Sequence, residues 1–177
     1  MSKKVVLAFS GGLDTSFCVP YLKNEHGFEV HTVMVNTGGF SETEEKAIEQ
    51  RALTLGAASH KTVNAVDTYY NKGIKYLIYG NILKNATYPL SVSSERVFQA
   101  LEVLKHVKAL GADAVAHGST GAGNDQVRFD IVFEVLAPEV EIIAPVREHC
   151  FTRQFEIDYL QKHGFDFSWE KAKYSIN

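Results

Sequence analysis

Four times along this chain a stretch with helical spacing of apolar residues ends on a glycine and passes at once into a β-rich run. The junctions are His26-Gly27-Phe28, Leu55-Gly56-Ala57, Leu110-Gly111-Ala112 and His163-Gly164-Phe165. Glycine there suits the left-handed position just past a helix C-terminus. Between these marks, strands are expected at residues 5–9, 30–35, 59–63, 114–117 and 142–144, all short and nearly continuous apolar runs, as in strands covered on both faces. Helices fill the gaps. Ser41-Glu42-Thr43-Glu44 reads as a capping box opening a helix whose stripe is Ala47, Ile48, Ala52 and Leu55. Ser94 is expected to cap a second, with Val97, Leu101, Leu104 and Val107 on one face. Strands alternating with helices predict an α/β fold: a doubly wound, mainly parallel five-stranded sheet with helices on both faces. Ligands of such sheets sit at the carboxyl ends of the strands, near the topological switch point.

Composition narrows the partners. A chain of 177 residues, 45% apolar, suffices for one domain with a sizeable core. A formal net charge of -3 argues against nucleic acid as a partner, since phosphate-backbone binders carry a basic excess. Cys18 and Cys150 lie far apart without zinc-ligand spacing, which fits a reducing compartment and makes Cys18 a small buried apolar residue. The apolar run after Lys3-Lys4 stops at Ser10, too short for a signal peptide or a membrane span. The expectation is a cytoplasmic protein with no membrane partner.

Two loops at predicted strand ends are not ordinary turns. The first reads Ser10-Gly11-Gly12-Leu13-Asp14-Thr15-Ser16 and leads straight into a helix. Paired glycines let the backbone approach a ligand closely, and successive amides backed by a helix N-terminus converge on an anion. Phosphate is the natural guest. Neither G-x-x-x-x-G-K-[ST] nor a G-x-G-x-x-G after a strand is present, so the P-loop and dinucleotide fingerprints do not apply. The stretch resembles the S-G-G-x-D-[ST] signature of the ATP pyrophosphatase family. That resemblance implies ATP cleaved between its α and β phosphates, a loop gripping the β and γ phosphates, and magnesium to offset their charge.

The second loop, His117-Gly118-Ser119-Thr120-Gly121-Ala122-Gly123-Asn124-Asp125-Gln126-Val127-Arg128-Phe129, brings hydroxyl, amide, carboxylate and guanidinium groups together. That set suits a zwitterionic amino acid, Asp125 accepting from an ammonium and Arg128 donating to a carboxylate. The plainer alternative is that Asn124 or Asp125 caps the following helix while Arg128 pairs with a surface carboxylate. The run is very similar to the second signature of the argininosuccinate synthase family, and the whole chain resembles the amino-terminal nucleotide-binding domain of that family, an adenine nucleotide alpha hydrolase-like fold.

The family resemblance implies a ligase joining citrulline to aspartate with ATP, through citrullyl-AMP, in arginine biosynthesis. Matched by position, Ala8, Phe9, Ser10, Gly11, Gly12, Leu13, Asp14, Thr15, Ser16 and Val35 would contact ATP. Ala116, His117, Gly118, Ser119, Thr120, Gly121, Ala122, Gly123 and Asn124 would line the nucleotide's other side. Thr120, Asn124 and Asp125 correspond to aspartate-binding positions, and Asn124, Arg128, Tyr88 and Ser93 to citrulline-binding ones, with Arg96 citrulline-binding or structural. Asp14 and Arg128 are the candidate catalytic residues, and no residue is assigned as a metal ligand. Asp14 is either a helix-start carboxylate or a participant near the phosphates through magnesium or water.

This chain has Ser91-Val92-Ser93 where the family usually has Gly-Thr-Ser, and Ala122 where lysine is common, which leaves citrulline and an acylated citrulline both open. Residues 1–167 are expected to form the nucleotide-binding domain and 168–177 the start of a crossing to a carboxyl-terminal domain, so that the chain is a fragment with little or no turnover. The full-length protein would be a homotetramer. Two other readings stay open: a noncatalytic adenine-nucleotide module, and a different ligase sharing the first loop. His117 is read as packed or backbone-bonded rather than as a general base. Tyr69, Tyr70, Tyr76 and Tyr79 are read as packing against a neighbouring domain or subunit.

Overall fold

The structure, a computed structural model, describes residues 2–169. Of the expected crossing segment, residues 170–177 lie outside the described residues. Five strands form one wholly parallel sheet: β1 (Lys4–Ala8), β2 (Glu29–Asn36), β3 (Ser59–Asn64), β6 (Ala114–His117) and β7 (Glu141–Ile143), in the order β3-β2-β1-β6-β7. The expected strands are present with ends shifted by no more than one residue.

Alternation of side chains along β1 divides the core. Val5 and Leu7 face one layer with Phe17 and Leu22 of α1 (Leu13–Asn24), Ala52 of α2 (Glu42–Thr54) and Leu160 of α8 (Arg153–Lys162). Val6 faces the other, with Val103 and Val107 of α5 (Ser91–Leu110) and Phe133 of α6 (Asp125–Leu136). With both faces covered, β1 carries apolar residues at every interior position and all three are fully buried. The chain builds β2 and β3 outward from β1, then returns to add β6 on β1's other side. This reversal places the loops after β1 and β6 side by side, with Ala8 in register with His117.

The four helix-ending glycines have φ between +58 and +97. Ser41 and Glu44 close the expected capping box on α2, Ser41 N–H donating to the Glu44 carboxylate at 2.8 Å. Ser41→Ala should therefore lower unfolding stability by about 1 kcal/mol, read as a shifted urea midpoint at constant m-value. Ala52 and Leu55 of the stripe are buried and Ile48 half-buried, whereas Ala47 turns to solvent.

Two expectations are corrected, the Ser94 cap and the place of Tyr69. Ser94 does not cap α5: the helix starts at Ser91, Leu90 is its N-cap, and the Ser94 N–H already donates to the Leu90 carbonyl at 2.9 Å. Residues 80–93 contain a small antiparallel pair, β4 (Leu83–Lys84) and β5 (Tyr88–Pro89), turned through left-handed Asn85 and Ala86. The tyrosines lie on α3 (Val66–Tyr69), a π-helical turn (Tyr70–Ile74) and α4 (Lys75–Tyr79), and they divide. Tyr70, Tyr76 and Tyr79 are exposed, but Tyr69 is buried and donates its hydroxyl to the Ser91 carbonyl at 2.5 Å. No helix of the described residues is long and apolar enough to cross a membrane.

Candidate functional site

The first loop turns on Gly11, whose φ of +75° L side chains rarely adopt. A Cβ there would also lie 3.0 Å from Cγ1 of Ile48. Gly12 then caps α1 without a side chain, and the first helical bond runs from the Ser16 N–H to the Gly12 carbonyl at 2.9 Å. The amides of Leu13, Asp14 and Thr15 precede that bond and have no partner within the helix, so they form a donor set at its positive end. Ser10 and Thr15 place their hydroxyl oxygens 3.2 Å apart across the turn, and the Thr15 hydroxyl donates to the Gly12 carbonyl at 3.3 Å.

The second loop packs directly on this donor set. A Cβ on Gly118 would fall 3.0 Å from the Thr15 backbone nitrogen and 3.1 Å from the Asp14 carbonyl carbon, so only glycine lets the loops meet this closely. Behind it His117, fully enclosed, accepts the Ser119 N–H on Nδ1 at 3.2 Å. Its Nε2 lies 2.9 Å from Oδ1 of Asp130 and, with Nδ1 accepting, is the donor. Asp130 pairs in turn with Arg147 of α7 (Pro145–Glu148). Burial works to raise the Asp130 carboxyl, but the hydrogen bonds from His117 and Arg147 and the Arg147 charge outweigh it and hold the group below its ordinary value. His117 is thus a packed, bonded side chain. Gln126 ties the loop's far end, donating to the Gly121 and Gly123 carbonyls at 2.9 and 3.1 Å.

Between the loops lies a cavity of about 520 Å³. Ala8, Phe9, Ser10, Gly12, Leu13, Asp14, Thr15 and Val35 line it from one side, and His117, Gly118, Ser119, Thr120, Gly123 and Asp125 from the other. Ser16 and Ala116 do not reach it, being fully buried in the core. Gly11, Gly121, Ala122, Asn124, Tyr88, Ser93 and Arg128 also fall outside its walls. Tyr88 sits, exposed, on the small antiparallel pair. Sequence reading missed the apolar wall of Met34, Phe40 and Phe129 and the polar pair Glu95 and Gln99.

At the rim, Asp125 receives two guanidinium groups, from Arg128 at 2.7 Å and from Arg96 at 3.0 Å. Arg96 also faces Glu95 at 3.2 Å, and Arg128 donates to the Ser93 hydroxyl at 3.1 Å. Asn124 occupies the N-cap position of α6 but forms no side-chain cap, and Asp125 is the helix's first residue with its carboxylate committed to the arginines. The capping alternative therefore does not describe these residues, and the partner of Arg128 is no isolated surface carboxylate. Two cations and two carboxylates stand together, a charge-balanced cluster.

Beneath α1, Glu156 of α8 is enclosed, 1% exposed, against Asp14. Burial, then the charge and hydrogen bond of Asp14, push its carboxyl up to about 8. Cys18, also fully buried there, has its thiol raised by burial first and by the Glu156 and Asp14 carboxylates after that.

Residues 4–166 match the family model described as the argininosuccinate synthase N-terminal HUP domain. The chain belongs to this family. It is 47% identical over 180 residues to the argininosuccinate synthase of Xylella fastidiosa, 43% over 176 to that of Pyrobaculum aerophilum and 41% over 180 to that of Methanocaldococcus jannaschii. These matches cover 99%, 99% and 100% of the chain but 44% of each relative, so the chain spans less than half the length of the curated relatives it matches. The five-stranded parallel sheet is the family's HUP fold, and the two loops at its switch point lie within the matched residues.

Proposed function

We propose that this chain supplies the nucleotide-binding half of an ATP-dependent ligase that joins citrulline to aspartate and releases AMP and pyrophosphate. One observation carries this: in a chain of this family, two glycine loops touch at the switch point, Gly118 against Thr15, and a charge-balanced cluster stands at their rim. The amides of Leu13, Asp14 and Thr15 and the hydroxyls of Ser10 and Thr15 suit the β and γ phosphates. The apolar wall of Met34, Val35 and Phe40 suits an adenine base. Among the described residues no group of three or more His, Cys, Asp and Glu side chains is disposed to hold a metal ion. Magnesium would enter with the triphosphate and offset its charge, and Asp14, on the cavity wall, is a carboxylate that would face it directly or through water.

Citrulline's ureido oxygen is a poor leaving group. Its attack on the α-phosphorus breaks the bond to the bridging oxygen, expels pyrophosphate and installs AMP as a departing group. Aspartate's amine then attacks the ureido carbon, loses its proton and releases AMP. No side-chain nucleophile is needed, so the chain's part is positioning and charge stabilisation. Asp14, on the cavity wall, acts near the phosphates through water. Arg128 is assigned to citrulline together with Asn124, Tyr88 and Ser93, and Asp125 to the aspartate ammonium together with Thr120 and Asn124. Both charges are preformed in mutual pairs, and a zwitterion can replace them without leaving either unmatched.

Calorimetry tests this on the 177-residue chain: ATP with magnesium is titrated first, then citrulline into the nucleotide-loaded protein. Arg128→Gln should leave ATP affinity within roughly twofold and weaken citrulline by about tenfold or more, the loss of one charge-assisted hydrogen bond. No heat with ATP, or citrulline binding indifferent to Arg128→Gln, overturns the assignment. Acetylcitrulline and succinylcitrulline, titrated alongside, decide the form of the acceptor.

A further inference from the structure

Arg51 belongs to α2, outside both glycine loops, yet its Nη1 donates to the carbonyl of Gly11 at 2.5 Å. The planar trans peptide joining Gly11 to Gly12 sets its C=O and N–H antiparallel. Fixing the Gly11 oxygen on Arg51 therefore turns the Gly12 N–H the opposite way, toward the turn, where the Ser10 hydroxyl oxygen accepts it at 3.4 Å. Ser10 and Gly12 both line the cavity.

Arg51 is itself held by a second group of residues. Its guanidinium carbon lies 5.4 Å from the ring centre of Phe167 and 5.3 Å from that of Trp169. The two rings meet edge to face at 5.6 Å, and Arg153 at the start of α8 donates to the Trp169 carbonyl at 3.0 Å. Phe167 and Trp169 pack against the same core layer as α1. Cation–π contact leaves a guanidinium's in-plane N–H groups free to donate, so the aromatic pair and the Gly11 carbonyl bind one side chain without competing.

We infer that Arg51 is a positioning residue of the phosphate loop, orienting the Gly12 amide toward a bound pyrophosphoryl group and coupling that loop to the aromatic strap at residues 165–169. The inference rests on the phosphate-binding role proposed above for the first loop. Its consequence is that filling the loop is felt at Trp169, which is the sole tryptophan of the chain.

Inorganic pyrophosphate with magnesium is a direct probe because it does not absorb where tryptophan is excited. Tryptophan emission of the 177-residue chain should change on titration, with the midpoint that calorimetry gives for binding. Arg51→Met should weaken pyrophosphate by roughly tenfold and remove the emission response, with the far-ultraviolet circular dichroism of the parent chain retained. Arg51→Lys, which keeps a charged donor for the Gly11 carbonyl but not the planar stack on Phe167 and Trp169, should bind pyrophosphate with an affinity between those of the parent and Arg51→Met and lose the emission response. Pyrophosphate that binds the parent chain without any emission change overturns the coupling alone. Equal affinity in the parent and Arg51→Met, or a lysine variant as weak as the methionine one, overturns the positioning role. A parent chain with no heat of binding overturns the phosphate-loop reading and this inference together.

Discussion

Gly118→Ala is expected to abolish measurable ATP binding by this chain while leaving it folded. The added methyl group meets the backbone nitrogen of Thr15 at 3.0 Å and the carbonyl carbon of Asp14 at 3.1 Å, and neither atom can swing aside as a flexible side chain would. The two loops must separate by a few tenths of an ångström or more, and the moving part is the first turn of α1, whose free amides are the proposed phosphate donors. Overpacking of this kind costs about 1–3 kcal/mol in stability. Displacing a set of donors that must converge on one anion costs more, roughly a hundredfold in affinity. Gly39→Ala is the control, since a methyl group there meets nothing within 4 Å and its φ is not positive. Calorimetry with ATP and a urea melt of each variant separate the two effects. An alanine at position 118 that binds ATP like the parent would show that the loops need not touch.

The prominence of glycine explains why so much of this site could be read from the chain. A backbone that must turn sharply or admit another backbone at contact distance tolerates one residue type, so Gly11, Gly12 and Gly118 mark the loops in the sequence itself. The strands were legible for a comparable reason: covered on both faces, residues 5–7 and 114–116 have no polar position to interrupt the run. Helix starts were less so. Ser41 announced α2 because its box partner Glu44 follows three residues later, whereas α5 begins without any side-chain cap, and Ser94 offered a false start.

Pairings across long sequence separations left no such mark. Asp125 and Arg128 stand out as one acceptor and one donor in the sequence, and the fold joins them to each other and to Arg96, 29 residues before Asp125. The chain of His117, Asp130 and Arg147 likewise draws on β6, α6 and α7. Asp130 and Arg147 look like ordinary surface residues until the sheet brings their elements together. Tyr69 shows the same limit: in a run of exposed tyrosines, only its position on α3 against α5 decides that it is buried.

Glu156 is the least legible of these residues, and it carries the second large prediction. In sequence it is one acidic residue in a polar helix; in the fold it is almost wholly enclosed, one carboxylate oxygen has no hydrogen-bond partner, and Asp14 lies against it. Burial and the Asp14 charge raise its carboxyl from 4.5 to about 8. The folded state therefore holds this proton more tightly than the unfolded chain. The stabilising contribution is full below about pH 4.5 and is lost as the pH rises through about 8, opposite to the usual behaviour of a paired carboxylate. Between pH 5 and pH 8.5 the parent chain should lose about 2 kcal/mol of unfolding stability from this source. Glu156→Gln keeps the shape and a donor for Asp14 without a titrating proton, so its stability should change little across the same range and should exceed the parent's at pH 8.5. Urea midpoints of both proteins at the two pH values give the result directly. If the parent gains stability toward pH 8.5 and the glutamine variant loses it, Glu156 is ionised and works as the partner of Arg153 instead. Because Asp14 forms the cavity wall and Glu156 lies beneath it, the same protonation would hold the first turn of α1 in place, and ATP affinity should fall with the parent's stability as the pH rises.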